Sequence, residues 1–241
     1  MEPSASAVLS IWERGLRQSP GERALSLLAL CEEVPDAPDR LPAGARDAAL
    51  LRVRQRLFGD RIEALVACDG CAEQLDFTLS VASLLPGEAP AAAPAISIEL
   101  EGCRVDARLP TAGDLAALRD ARDLADGVSR LLRRCVLRAE RDGRALRSDE
   151  LDPRIYAALD EAFAAADPGG DLTLSLTCPA CGAANRPLFD APSLLWRETE
   201  QLAHDALLDV HELARAYGWP EAEILALSPA RRAFYLEAVD A

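Results

Sequence analysis

Two short cysteine pairs, Cys68-Asp-Gly-Cys71 and Cys178-Pro-Ala-Cys181, constrain this chain more than any other feature. In a C-x-x-C turn two sulfurs face one point, and a closed structural zinc site takes four ligands in a tetrahedron, with Zn–S about 2.3 Å. Each pair supplies half of that shell. Together they predict a single Zn2+ held by Cys68, Cys71, Cys178 and Cys181, joining two knuckles remote in sequence. Aligning Cys68 with Cys178 also aligns Ser83-Leu84-Leu85 with Ser193-Leu194-Leu195. Across Ala67–Leu85 and Thr177–Leu195 only the cysteines and that Ser-Leu-Leu coincide, so a duplication here is old or accidental. Both pairs sit in apolar, strand-like segments, with a glycine in or just after the turn at Gly70 and Gly182. Other readings stand beside this one. In one, a single pair binds metal while the other is degenerate; in others, the thiols stay unmetallated or act in redox chemistry. A redox pair normally sits in a βαβ setting, which neither shows, while compact zinc ribbons keep their pairs closer than these.

The chain has 241 residues, enough for one domain or two small ones with a sizeable core. Half of it is apolar but only 5% is aromatic, which favours close-packed helices rich in alanine and leucine. All 26 basic residues are arginine, so lysine Schiff bases and P-loop lysines are excluded. A formal charge of −14 argues against sequence-independent nucleic-acid binding, which needs cations to neutralise phosphates. It suits a soluble protein that meets neutral or basic protein surfaces. Met1-Glu-Pro-Ser-Ala lacks the basic-then-apolar pattern of a secretory signal. No run of about 18 apolar residues offers a membrane span. Seven cysteines without a signal point to a reducing cytoplasm, and the absence of lysine to a GC-rich bacterial genome. Cys31, Cys103 and Cys135, in apolar stretches, read as buried free thiols.

The expected fold class is α+β, mostly α: a helical bundle with a small antiparallel β region carrying the two CxxC zinc knuckles. Helices are expected over residues 6–17, from the Ser19-Pro20-Gly21-Glu22 start to before Pro35, and over 45–58, where Arg46, Arg52, Arg54 and Arg56 face outward. Leu75–Val81 alternates like a half-buried strand, and 85–94 reads as a mobile, low-complexity connector. Ile96–Leu100 and Cys103–Leu109 form a hairpin around Glu101-Gly102. Helices follow from Thr111 to about 125, over 127–139 and from Asp152 to Ala166. Asp171–Thr177 is a strand. The longest helix runs over 193–217, with Trp196, Thr199, Ala203, Ala206, Val210, Leu213 and Tyr217 on one stripe. Two short helices close the chain, Phe234 and Leu236 packing back onto the bundle. The expected organisation is N-terminal helices (1–58), first knuckle and hairpin (59–110), a helical insertion (111–170), second knuckle (171–192) and C-terminal helices (193–241).

Catalytic motifs are missing. There is no G-x-x-x-x-G-K, G-x-G-x-x-G or G-x-S-x-G. His211-Glu212 begins like H-E-x-x-H, but Arg215 stands where the second histidine belongs. His204 and His211 share a helix face without a nearby third ligand, so they read as packed or surface histidines. No nucleophile–base pair appears, and no small-molecule substrate is expected.

Leu208-Asp-Val-His-Glu-Leu-Ala-Arg-Ala-Tyr-Gly-Trp219, followed by Glu221-Ala-Glu-Ile-Leu-Ala-Leu-Ser-Pro-Ala-Arg-Arg232 and Tyr235-Leu236, resembles a tailed-phage family. It is the T-even-type baseplate hub and hub-assembly family, relatives of which occur in phage-derived contractile injection gene clusters. Leu174–Phe189 resembles the C-x-x-C strand region of that family, and Leu109–Leu115 is a looser echo. The resemblance covers roughly residues 170–241. It implies a non-enzymatic protein that builds or joins the baseplate of a contractile tail, with other baseplate, hub or spike proteins as partners. On that reading Trp219, Arg231, Arg232 and Tyr235 form a partner-binding edge, and the protein is incorporated into the particle or acts in its assembly. The alternatives are a zinc-knuckle adaptor in nucleic-acid handling or transcription, and a thiol–disulfide protein.

Overall fold

The structure, a computed structural model, describes residues 4–31, 36–85 and 95–239. The helix stop at Pro35 and all but Leu85 of the 85–94 connector lie outside the described residues. Helices α1 (Ala5–Gly15) and α2 (Pro20–Leu27) open the chain, and a 3-10 turn, Leu28–Leu30, follows. Ser19 caps α2 as its sequence predicts: its hydroxyl accepts the Glu22 N–H while the Glu22 carboxylate accepts the Ser19 N–H. Helix α3 (Ala43–Phe58) leads into strands β1 (Arg61–Ala67) and β2 (Gln74–Ser80), and a one-turn α4 (Val81–Leu84) comes after them. Next come β3 (Ile96–Leu100), β4 (Cys103–Ala107), α5 (Ala112–Ala116), α6 (Leu124–Cys135), β5 (Val136–Arg141), β6 (Arg144–Ala145) and α7 (Pro153–Ala166). Short strands β7 (Leu176–Thr177) and β8 (Ala184–Asn185), the long α8 (Ala191–Tyr217), α9 (Glu221–Leu225) and α10 (Pro229–Val239) complete the chain. The fold is mostly helical with small antiparallel sheets, as the sequence predicts.

Two larger cores hold it together. Ile11, Leu27, Leu28, Leu50, Leu195 and Trp196 bring α1–α3 against the first turns of α8. Trp196 lies against Gly15 on one side, and the Arg23 guanidinium covers its ring at 4.5 Å. The other core joins the β3-β4-β5-β6 sheet to α6 and α7 through Val105, Leu132, Ile155 and Leu159. Between β4 and α6 sits Asp114, almost fully buried, bound by Arg108 and Arg134 and capping α5 with Thr111.

Several expectations change. The helix expected to run from Thr111 to about 125 ends at Ala116, and Asp123 caps a new one by accepting the Asp126 N–H. The helix expected over 127–139 stops at Cys135; Val136–Arg141 instead pairs with β4, which would otherwise present an open row of N–H and C=O groups. Arg46 and Arg54 are buried, not outward-facing. Arg54 crosses from α3 to α8, donating to the carbonyls of Gly59 and Arg61 at 2.7 Å and to Glu198 at 2.9 Å. Phe234 is 65% exposed and does not pack back. Cys103 and Cys135 are buried free thiols as expected, while Cys31 is half-buried.

The coincidence of Ser-Leu-Leu motifs is the visible edge of a structural repeat. A shift of 110 residues, from Cys68 to Cys178, carries one segment onto another. It superposes a 3-10 turn at Pro38–Arg40 on one at Ser148–Glu150, and the start of α3 on that of α7. It carries the pairs Glu63↔Thr78, Val66↔Leu75 and Ala67↔Gln74 onto Thr173↔Leu188, Leu176↔Asn185 and Thr177↔Ala184. It then carries Val81, first residue of α4, onto Ala191, first residue of α8, and both are buried in one cluster. Each ribbon turns the same alternate residues inward. Ile62 and Leu79 of one pack with Leu172, Leu174 and Phe189 of the other.

Candidate metal centre

The repeat places the two knuckles at the same end of their ribbons. In the first, the Cys68 N–H donates to the Glu73 carbonyl and the Ala72 N–H to the Cys68 carbonyl. In the second, the Cys178 N–H donates to the Ala183 carbonyl and the Gly182 N–H to the Cys178 carbonyl. Ala72 and Gly182 take the same left-handed backbone, at φ 59° and 73°. Glycine is the usual residue at such a position, and alanine holds it in the first knuckle.

All four predicted sulfurs come together. The Sγ atoms of Cys68, Cys71, Cys178 and Cys181 lie within 4.8 Å of one another. The Cys68–Cys181 and Cys71–Cys178 separations, across the two knuckles, are both 3.7 Å. A tetrahedron with Zn–S bonds of about 2.3 Å has S–S edges of about 3.8 Å, so the donor set fits that ion. None of the sulfurs is bonded to another, and all seven cysteines are free thiols. Among the described residues no other group of three or more His, Cys, Asp or Glu side chains is placed to hold an ion.

Crowding shapes the protonation of these thiols. The Gly70 N–H, 3.4 Å from its sulfur, is the main influence drawing the Cys68 thiol down, to about 6, against desolvation. Cys71 is pushed up to about 12: the Glu73 backbone contact favours its thiolate, but the neighbouring sulfurs and burial outweigh it. For Cys181 the Ala183 backbone contact and the Cys71 sulfur favour the thiolate, but the Cys178 sulfur, desolvation and the Cys68 sulfur together raise it. Four thiolates so close together repel one another, and a divalent cation is what allows all of them to be deprotonated.

One residue of the site escapes the sequence pattern. Asn185, 2% exposed on β8, reaches across to the first knuckle. Its Oδ1 accepts the Asp69 N–H at 2.8 Å, and its Nδ2 donates to the Ala183 carbonyl at 3.0 Å and faces Cys68 Sγ at 3.6 Å. Only the 110-residue alignment, which sets Asn185 against Leu75, marks it as unusual in the sequence.

A family model described as T4 bacteriophage base plate protein matches residues 17–196. The chain belongs to that family. The match takes in both knuckles and most of the fold, including Leu109–Leu115 and Leu174–Phe189 from the sequence resemblance. The Leu208–Leu236 stretch that first suggested a baseplate protein lies beyond the matched residues, so the confinement of the likeness to the C-terminal third is not supported. Among curated proteins and among solved structures, none matches the chain.

The other residues singled out from sequence lie far along α8 and beyond it in the chain. Tyr217 stacks on Trp219 at 4.7 Å, and Tyr235 meets Trp219 edge-on at 4.9 Å. Arg231 is exposed, while Arg232 is largely covered and lies 3.6 Å from Asp209. The ring of His204 packs edge-on against Trp12, and His211 is exposed. Among the described residues, no helix is long and apolar enough to cross a membrane.

Proposed function

We propose that this chain is a non-enzymatic structural or assembly component of the baseplate of a phage-like contractile tail or injection system, with one structural Zn2+ on Cys68, Cys71, Cys178 and Cys181. The observation that carries the reading is the baseplate family match, which runs through both knuckles whose sulfurs converge. A shell of four thiolates leaves no open position for a substrate or water, which is the arrangement of structural zinc and not of catalytic zinc. The apolar cluster beside the sulfurs is small, with Leu75 buried and Val66, Leu176 and Ala183 partly so. A structural zinc contributes about 10–16 kcal/mol on binding, more than such a cluster can supply. Zinc is thus the main tie between the two ribbon tips.

Partners are other baseplate, hub or spike proteins, met through the edge formed by Trp219, Tyr235, Arg231 and Arg232. Stacked aromatics beside an exposed arginine are the residue types that dominate protein interfaces, and the neighbouring Phe234 is uncovered. Arg231 faces an acidic patch on the partner, and Arg232 holds the edge in shape through Asp209. The protein acts in the bacterial cytoplasm, where the particle is put together. The test is a metal assay on the purified chain together with a mass-spectrometric inventory of purified particles and of assembly intermediates captured on a tagged copy. One zinc per chain and co-purification with baseplate subunits, reduced in R231A/R232A, are expected. A chain without stoichiometric zinc would end the metal reading, and a chain found with no baseplate subunit at any stage would end the baseplate reading.

A further inference from the structure

The repeat makes each knuckle a control for the other, and they differ where one ribbon meets the other's turn. Position 185 on β8 corresponds to position 75 on β2, where leucine stands. Position 69, whose N–H Asn185 accepts, corresponds to position 179, where proline stands. Proline has no N–H. The first knuckle therefore presents a partly buried donor that needs an acceptor from the opposite ribbon, and Asn185 supplies it. The second knuckle presents none, and the residue opposite it, Leu75, is apolar and packs in one cluster with Cys178 and Cys68. The two differences answer each other.

Asn185 does more than satisfy that amide. Its Nδ2 is aimed at Cys68 Sγ, the same sulfur that receives the Gly70 N–H. Four thiolates around a divalent cation leave a net double negative charge, and the residues adjoining the first knuckle, Asp69 and Glu73, add to it. N–H groups directed at sulfur disperse that charge, and partners that orient metal ligands are typically worth tenfold or more in affinity.

We infer that Asn185 is the positioning residue of the metal centre: it docks the first knuckle onto the second through the Asp69 amide and orients Cys68 toward the shared ion, while Pro179 and Leu75 are the apolar solution to the same junction. This rests on the zinc reading above. Zinc affinity of the 241-residue chain, measured by competition with a chromophoric chelator, tests it in four forms: wild type, N185L, D69P/N185L and N185D. N185L is expected to bind zinc about tenfold more weakly, because the Asp69 N–H and Cys68 both lose their partner. D69P/N185L makes the first junction like the second and is expected to recover to within about threefold of wild type. A residue that mattered only for general packing would gain nothing from D69P. N185D, nearly the same shape, keeps the acceptor but trades the donor for a negative charge beside Cys68, and is expected to lose affinity at least as severely as N185L. It reads out the inference even if N185L does not fold. Wild-type affinity in N185D, or a double variant no better than N185L, overturns the role of Asn185 and leaves the zinc site standing. A wild-type chain that binds no zinc overturns the zinc reading itself, and the inference with it.

Discussion

Replacing Gly21 by alanine is expected to destabilise the protein even though alanine is the better helix former. Gly21 is the second residue of α2, where that helix crosses α5. A Cβ there would lie 2.7 Å from the Ala116 Cα, 2.9 Å from the Ala116 nitrogen and 3.0 Å from the Leu115 carbonyl carbon. Carbon contacts settle at about 3.5–4.0 Å, so α5 would have to retreat by about 1 Å. The atoms in the way are backbone, so no rotamer change relieves them. Overpacking costs about 1–3 kcal/mol, the upper part applying here because three backbone atoms stand at 2.7–3.0 Å, and helix propensity returns about 1 kcal/mol. The net loss is therefore about 1–2 kcal/mol, or roughly 2–8 °C in Tm for a chain of this length. Gly127, inside α6, provides the matched comparison: its nearest neighbour to a new Cβ is the Ala121 Cβ at 3.7 Å, an ordinary contact. G127A should stabilise by about 0.5–1 kcal/mol. Thermal melts followed by far-UV circular dichroism, with urea titrations of wild type and variants at the same metal content, give both numbers. A G21A variant melting at or above wild type, or two variants shifted in the same direction, would refute the close-approach argument.

Two further perturbations probe buried charge. Burial raises the Asp114 carboxyl, but Arg108, the Thr111 N–H and Arg134 outweigh it and hold it well below the usual carboxylate range. A depressed folded pKa means stability that is complete above about pH 4–5 and drains away as pH falls. D114N should remove that part of the acid dependence and cost about 2–3 kcal/mol at neutral pH, the lower side for a buried ion pair because both arginines reach water; an unchanged acid-unfolding profile would contradict the assignment. R54A strips the carbonyls of Gly59 and Arg61 and the Glu198 carboxylate of their donor, and is expected to lower stability by about 2–4 kcal/mol in urea titrations; a loss under about 0.5 kcal/mol, the size of an ordinary surface change, would show that Arg54 is not a tie between α3 and α8.

What could be read from the chain alone depended on how local the physics is. The clustering of the four cysteines was legible because C-x-x-C spacing is a local pattern of ligand type and distance, and the caps at Ser19 and Thr111 because a capping box lies within four residues. Arg54 was misread because an arginine at helical spacing looks solvated until Glu198, 144 positions away, comes into view. Val136–Arg141 was misread for the same reason: the apolar rhythm from Val128 to Val136 continues a helix, and only the open edge of β4 turns the next six residues into strand. The repeat was nearly invisible because its ribbons kept their alternation and register while changing almost every side chain. Asn185 carries no signal of its own in the sequence for that reason, since its meaning lies in Pro179 and Leu75.

Because the half-sites lie 107 to 113 residues apart, a ribosome releases them at very different moments. At roughly 5–20 residues per second, the first knuckle emerges about 5–20 s before the second. Throughout that interval Cys68 and Cys71 can offer an incoming ion only half a cage. If the four sulfurs hold an ion as proposed, the ribbon tips lock only after the second knuckle has emerged, while α8 and the two helices after it are still being added.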